Sequence, residues 1–166
     1  MKKRLVILIL AIFVVLPQSA AARSVVTDSA TLKSEANSDQ DFDSRQFILK
    51  AFFRKKDSFL TDYTKEFIQT ADKNNLDWRL LPAIAGLESG FGKRLAKGSF
   101  NPFGWGGGYF CFDSWPAGID CVGKALGEKP YPRELTPEAI GPIYAPPNHH
   151  WGGLVQNIMN QIVALP

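Results

Sequence analysis

The stretch GLESGFGK, residues 86–93, sets one carboxyl group, Glu88, at the close of an apolar helical run and directly ahead of Gly90 and Gly92. A helix carries partial negative charge at its C-terminal carbonyls, so a carboxyl there is favoured in its protonated form. The nearby Ile84 and Leu87 add desolvation in the same direction. An acid that keeps its proton can hand it to a leaving-group oxygen. Gly90 and Gly92 can stop the helix and turn the backbone, which would leave the acid at a rim. The dipole contributes only about 0.3–1 kcal/mol, so spacing alone fits a surface glutamate at a helix end equally well.

A second group is hard to find. Between Glu88 and Asp113 the chain has no Asp or Glu. Asp113 precedes Ser114 and Trp115, where a helix cap is the favoured role; Asp120, Glu128 and Glu134 are weaker candidates. Ser89 lacks the G-x-S-x-G elbow. His149 and His150 are adjacent rather than four apart, and no HExxH occurs, so a zinc site of that kind is not expected. The glycines at 104–108 lack the strand-loop-helix setting and the Lys-Ser/Thr of a phosphate loop. Nucleotide binding is not expected.

The elements that must position these groups read as mostly helical. Residues 46–53, QFILKAFF, form a short apolar element expected at the domain edge. After Asp57 and Ser58, either able to cap, Leu60, Tyr63, Phe67 and Ala71 recur at helical intervals and Asn74 and Asn75 end the run. Asp77 offers the next cap, with Leu80, Ile84, Leu87 and Phe91 along one face and Pro82 confined to the first turn, because an interior proline costs about 3 kcal/mol. Residues 99–112, SFNPFGWGGGYFCF, suit a tight turn with a short strand or hairpin. Phe100, Phe103, Trp105, Tyr109, Phe110 and Phe112 there either fill the core or offer flat faces to a ligand, with Trp105 expected to be the exposed one. Asp113 or Ser114 caps a helix with Trp115, Ile119, Val122 and Leu126 inward. Thr136-Pro137 starts a brief helix that Pro142 and the 146–147 proline pair keep short. The closing helix carries Trp151, Leu154, Ile158, Ile162 and Leu165.

The chain opens with Lys2, Lys3 and Arg4, an apolar stretch at 5–16 and small residues at 20–22, the anatomy of a signal peptide for export. A dozen apolar residues fall short of the roughly 20 that span a bilayer. Without those three cations, the 19 Lys plus Arg against 16 Asp plus Glu become balanced, which removes the case for nucleic-acid binding. Residues 1–22 are read as the signal peptide, 23–44 as a polar linker and 45–166 as one domain expected to be monomeric. In an exported chain Cys111 and Cys121 could pair; they could equally remain two small apolar side chains, since the helical pattern turns Cys121 away from the buried stripe.

The run LLPAIAGLESGFGK, followed in order by FNPFGW, FDSWPAGIDCVGKAL and YAPPNHHWGGLV, resembles the lysozyme superfamily, specifically the bacterial glucosaminidases of the mannosyl-glycoprotein endo-β-N-acetylglucosaminidase type, glycoside hydrolase family 73-like. The resemblance covers residues 57–162. It implies a mainly α (α+β) lysozyme-like domain with a small glycine- and aromatic-rich β-hairpin insert, a substrate in the glycan strands of peptidoglycan, and no metal or organic cofactor. It implies that Glu88 is the general acid, that Tyr144 lies near the scissile bond, and that Asn101, Phe103, Gly104 and Trp105 shape the cleft wall, with Trp151 supporting the Tyr144 loop. The missing second carboxylate departs from ordinary glycosidases. It keeps three outcomes open: hydrolysis assisted by the substrate's N-acetyl group, a lytic transglycosylase giving anhydro ends, or a non-catalytic peptidoglycan-binding module.

Overall fold

The computed structural model describes residues 43–163; the signal segment, the linker up to residue 42 and Leu165 lie outside them. Six α-helices are present, α1 (Ser44–Lys55), α2 (Thr64–Lys73), α3 (Leu80–Ser89), α4 (Trp115–Leu126), α5 (Pro137–Tyr144) and α6 (Trp151–Val163), and no strand occurs among the described residues. No helix among them is long and apolar enough to cross a membrane.

Helix α1 is not an edge element. Its Leu49, Phe52 and Phe53 are buried, and Phe53 meets Phe67 of α2 edge to face with ring centroids 5.5 Å apart. Asp43, assigned to the linker by sequence, caps α1 instead, its carboxylate accepting from Arg45 N at 2.9 Å. Ser58 is the residue that turns the chain toward α2: its Oγ accepts from Leu60 N and donates to the Phe91 carbonyl at 2.9 Å. A 3₁₀ turn at Thr61–Tyr63 intervenes, so α2 begins only at Thr64.

Helix α3 departs from the expected single stripe, since Leu80, Leu81, Pro82, Ala83, Ile84 and Ala85 are all buried. A helix apolar on every side is a central helix, and α3 packs against both α2 and α6. Pro82 falls in its first turn, where the missing N–H is harmless. Asp77, three residues ahead of the helix, accepts from Arg79 N, and Arg79 rather than Asp77 occupies the cap position. The stop is as the glycines imply. Gly90 has φ +60°, the left-handed conformation only glycine adopts readily, its N–H reaches the Gly86 carbonyl, and Phe91 N–H reaches Ala85 O. Phe91 then folds back over Gly86, where any Cβ would meet its ring at 2.5 Å. Ser89 stitches the turn, donating to Ala85 O and accepting from Gly92 N.

Helix α4 is capped by Ser114, whose Oγ accepts from Ala117 N, and buries Ile119, Val122 and Leu126. Asp113 is exposed and does not cap. The thiols of Cys111 and Cys121 are exposed and not bridged: the register that buries Val122 turns Cys121 outward, and Cys111 lies on the loop surface. In α6 the inward face is Trp151, Val155, Met159 and Ile162, while Leu154 is 43 % exposed. Val155 and Met159 fit the helical period as well as Leu154 and Ile158 do; packing of α6 against α3 and α5 decides between them.

The glycine-rich insert is a 3₁₀ turn, Trp105–Gly108, in place of the expected hairpin. Gly104, Gly106, Gly107 and Gly108 have φ between +61° and +82°, which an extended strand cannot contain. Asn101 occupies the backbone groups that a strand ladder would have used. Its amide accepts from Trp105 N at 3.0 Å and donates to the carbonyls of Trp105 at 2.9 Å and Phe110 at 2.8 Å.

Candidate active site

Glu88 is the penultimate residue of α3 and lines a cleft of about 510 Å³ together with Gly104, Trp105, Gly107, Tyr131, Tyr144 and Ala145. The carboxyl group is fixed through one oxygen. Trp151 Nε1 donates to Glu88 Oε1 at 2.8 Å, and the indole is 1 % exposed, so this donor is oriented by the α6 core. The other oxygen, Oε2, lies beside Gly104, where an added Cβ would stand 3.1 Å from it. Because Oε1 already accepts a hydrogen bond, a proton carried by this group sits on Oε2.

Tyr144 stacks on Trp151 with centroids 4.8 Å apart and planes 26° apart, and contacts Trp105 at 5.8 Å. Its hydroxyl donates to the Phe103 carbonyl at 2.6 Å. Burial first, then the Glu88 charge and Tyr131, hold the phenol well above its ordinary value of 10.0, so the proton stays on the hydroxyl and the donor stays on Phe103. The Tyr144 oxygen therefore faces its surroundings as an acceptor.

The residues expected to form or support the binding wall divide into two groups. Gly104 and Trp105 line the cleft with Glu88 and Tyr144. Asn101, Phe103 and Trp151 do not: they are 3 %, 0 % and 1 % exposed and act from behind, Asn101 by pinning the 105–110 backbone, Phe103 through its carbonyl, and Trp151 through Glu88. Trp105 is only partly exposed, while Tyr109 at 93 % and Phe110 at 50 % are the exposed aromatics of the insert. Sequence reading missed Tyr131, whose phenol burial raises above its ordinary 10.0. Its place between Pro130 and Pro132 was the available signal, an aromatic held in a rigid loop.

Glu88 is the single carboxylate lining the cleft among the described residues, and no group of three or more His, Cys, Asp or Glu there could hold a metal ion. His149 and His150 are exposed ahead of α6. A larger concavity of about 620 Å³ lies between α1 and α2, but its two carboxylates, Asp43 and Asp72, are both held by Arg45, whose hydrogen bonds keep Asp43 below its ordinary 3.8. No protein-family model matches the chain, and neither does any curated protein or solved structure.

Proposed function

We propose that the chain is an exported hydrolase of β-1,4-linked N-acetylhexosamine polymers, built on a lysozyme-like helical domain and acting on the glycan strands of peptidoglycan with Glu88 as its single general acid. The observation that carries this reading is the division of labour on one carboxyl group. Oε1 is anchored by a buried indole and Oε2 stands at the cleft wall beside Gly104.

The proton on Oε2 passes to the glycosidic oxygen as the bond to the anomeric carbon breaks. Glu88 is left as a carboxylate that the Trp151 N–H continues to hold. With no second carboxylate on the wall among the described residues, the substrate's own acetamido oxygen attacks the anomeric carbon, an accepted exception to the two-carboxylate rule. The Tyr144 oxygen, its proton committed to Phe103, accepts the acetamido N–H and turns that group toward the carbon. Water then opens the cyclic intermediate and returns a proton to Glu88. A lytic transglycosylase is favoured by the same absence, because a hydroxyl of the same sugar can close on the anomeric carbon after the glycosidic bond breaks, its proton passing to the Glu88 carboxylate, without a second acid.

Mass analysis of products from purified sacculi tests the proposal. Reducing ends heavier by one water support hydrolysis, and anhydro ends select the transglycosylase. Tight sedimentation with sacculi and no new ends would leave a binding module and overturn catalysis.

A further inference from the structure

Tyr131 lines the cleft, and the reaction proposed above gives it no part. It stands in the loop between α4 and α5, where its N–H donates to the Glu128 carbonyl at 3.0 Å and the prolines on either side, Pro130 and Pro132, restrict the backbone. Its ring packs against the hydrophobic core. The phenol is therefore held at the wall before any ligand arrives. Its hydroxyl has no protein partner among the described residues, and it is not sealed off: the fully buried side-chain oxygen that lacks a partner there is Glu66 Oε2, not the Tyr131 phenol. The hydroxyl is open to whatever fills the cleft.

The two phenols of the cleft have opposite capacities. Tyr144 has committed its proton to the Phe103 carbonyl at 2.6 Å, which leaves its oxygen as an acceptor. Burial raises the Tyr131 phenol above its ordinary 10.0, so its proton stays on at neutral pH, and with no protein acceptor it is free to be donated. Burial, then the Glu88 charge, then Tyr131 raise Tyr144, so the two phenols stand close enough for each to oppose ionisation of the other. An acceptor beside a donor is the complement of a secondary amide, which offers one N–H and one carbonyl oxygen. A protonated amine in the same place has no acceptor to offer Tyr131, and a sugar hydroxyl can satisfy only one of the two phenols with its single proton.

We propose that Tyr131 is a specificity-determining residue: its hydroxyl donates to the acetamido carbonyl oxygen of the hexosamine whose N–H the Tyr144 oxygen accepts, so that the two phenols together select the N-acetyl group. The inference rests on the glycan reading of the cleft and adds to it the residue that tells an N-acetylated sugar from a plain one. It is compatible with attack by the same carbonyl oxygen, which has two lone pairs: one accepts from Tyr131 and the other remains for the anomeric carbon.

The test measures binding, with Glu88→Gln in the full-length protein as the background so that no ligand is cleaved. The probes are two neutral β-1,4-linked tetramers, one of N-acetylglucosamine and one of glucose, titrated by NMR. The background protein should bind the N-acetylated tetramer at least about fivefold more tightly than the glucose tetramer, as two amide hydrogen bonds require. Adding Tyr131→Phe, which keeps the ring and removes only the hydroxyl, should weaken the N-acetylated tetramer by about 3- to 10-fold and leave the glucose tetramer unchanged. Its Tm should stay within about two degrees of the background, because the hydroxyl has no protein partner to lose. Unchanged affinity for the N-acetylated tetramer, or an equal loss on both tetramers, would overturn the role given to Tyr131 while leaving the glycan reading intact. Binding of neither tetramer by the background protein would overturn the glycan reading and this inference with it. Tyr131-dependent binding by a protein whose wild type releases no ends from sacculi would uphold the acetamido site and remove only the hydrolase.

Discussion

Replacing Trp151 by Phe isolates the contact on which the proposed acid depends. Phenylalanine keeps an aromatic ring in the α6 core and most of the stack on Tyr144, now 4.8 Å between centroids, but it deletes the Nε1–H that Glu88 Oε1 accepts at 2.8 Å. A hydrogen bond to a charged or partly charged acceptor contributes about 1.5–3 kcal/mol. If that contribution is what holds Oε2 in place for proton transfer, kcat/KM should fall by about 10- to 100-fold. The smaller ring also leaves space in a site that is 1 % exposed, which should cost about 1–3 kcal/mol of stability. The two effects are separable: release of reducing ends from sacculi is measured well below the variant's Tm, where both proteins are fully folded. A Trp151→Phe protein with lowered Tm but kcat/KM within twofold of wild type would refute the claim that the indole positions the acid.

Gly104→Ala places a Cβ 3.1 Å from Glu88 Oε2 at φ +61°, so it should lose about 1–2 kcal/mol of stability and at least tenfold of activity, read by thermal melting and by end release. Asn101→Ala strands one N–H and two carbonyls of the insert; a loss of about 2–4 kcal/mol should appear in denaturant unfolding, with faster proteolysis at 105–110. Tyr144 has a folded-state phenol raised above 10.0, so protonation favours the folded state and its contribution is complete below pH 10.0 and declines as pH rises through the higher folded value. Tyr144→Phe should accordingly show a flatter loss of stability above pH 10 than wild type, measured by chemical denaturation across that range, after an initial cost of about 1 kcal/mol for the Phe103 hydrogen bond.

What could be read from the sequence was local. The arrest of α3 after Glu88 is written in Gly90 and in Ser89, whose partners lie within four residues. The Thr136-Pro137 start of α5 is equally local, with Thr136 Oγ1 accepting from Ala139 N. The contact that fixes Glu88 joins residues 63 apart in the chain, and no periodicity encodes it. The one-faced pattern expected of α3 is overridden because LLPAIA is apolar at every position, the mark of a helix surrounded by others. The hairpin expectation failed for a related reason. Aromatics flanking glycines resemble a strand-turn-strand pattern, but four left-handed glycines and an amide that ties Trp105 and Phe110 to one side chain consume the backbone that pairing would need. Tyr131 reaches the cleft from the loop between α4 and α5, and only the tertiary path of that loop brings it there.

The central claim is that Glu88 gives up a proton to the glycosidic oxygen. Purified sacculi incubated with wild type and with Glu88→Gln, both shown folded by equal Tm within a few degrees, should release new glycan ends only with the wild type, at a rate at least about 10²-fold above the variant. Equal release by the two proteins would contradict the account.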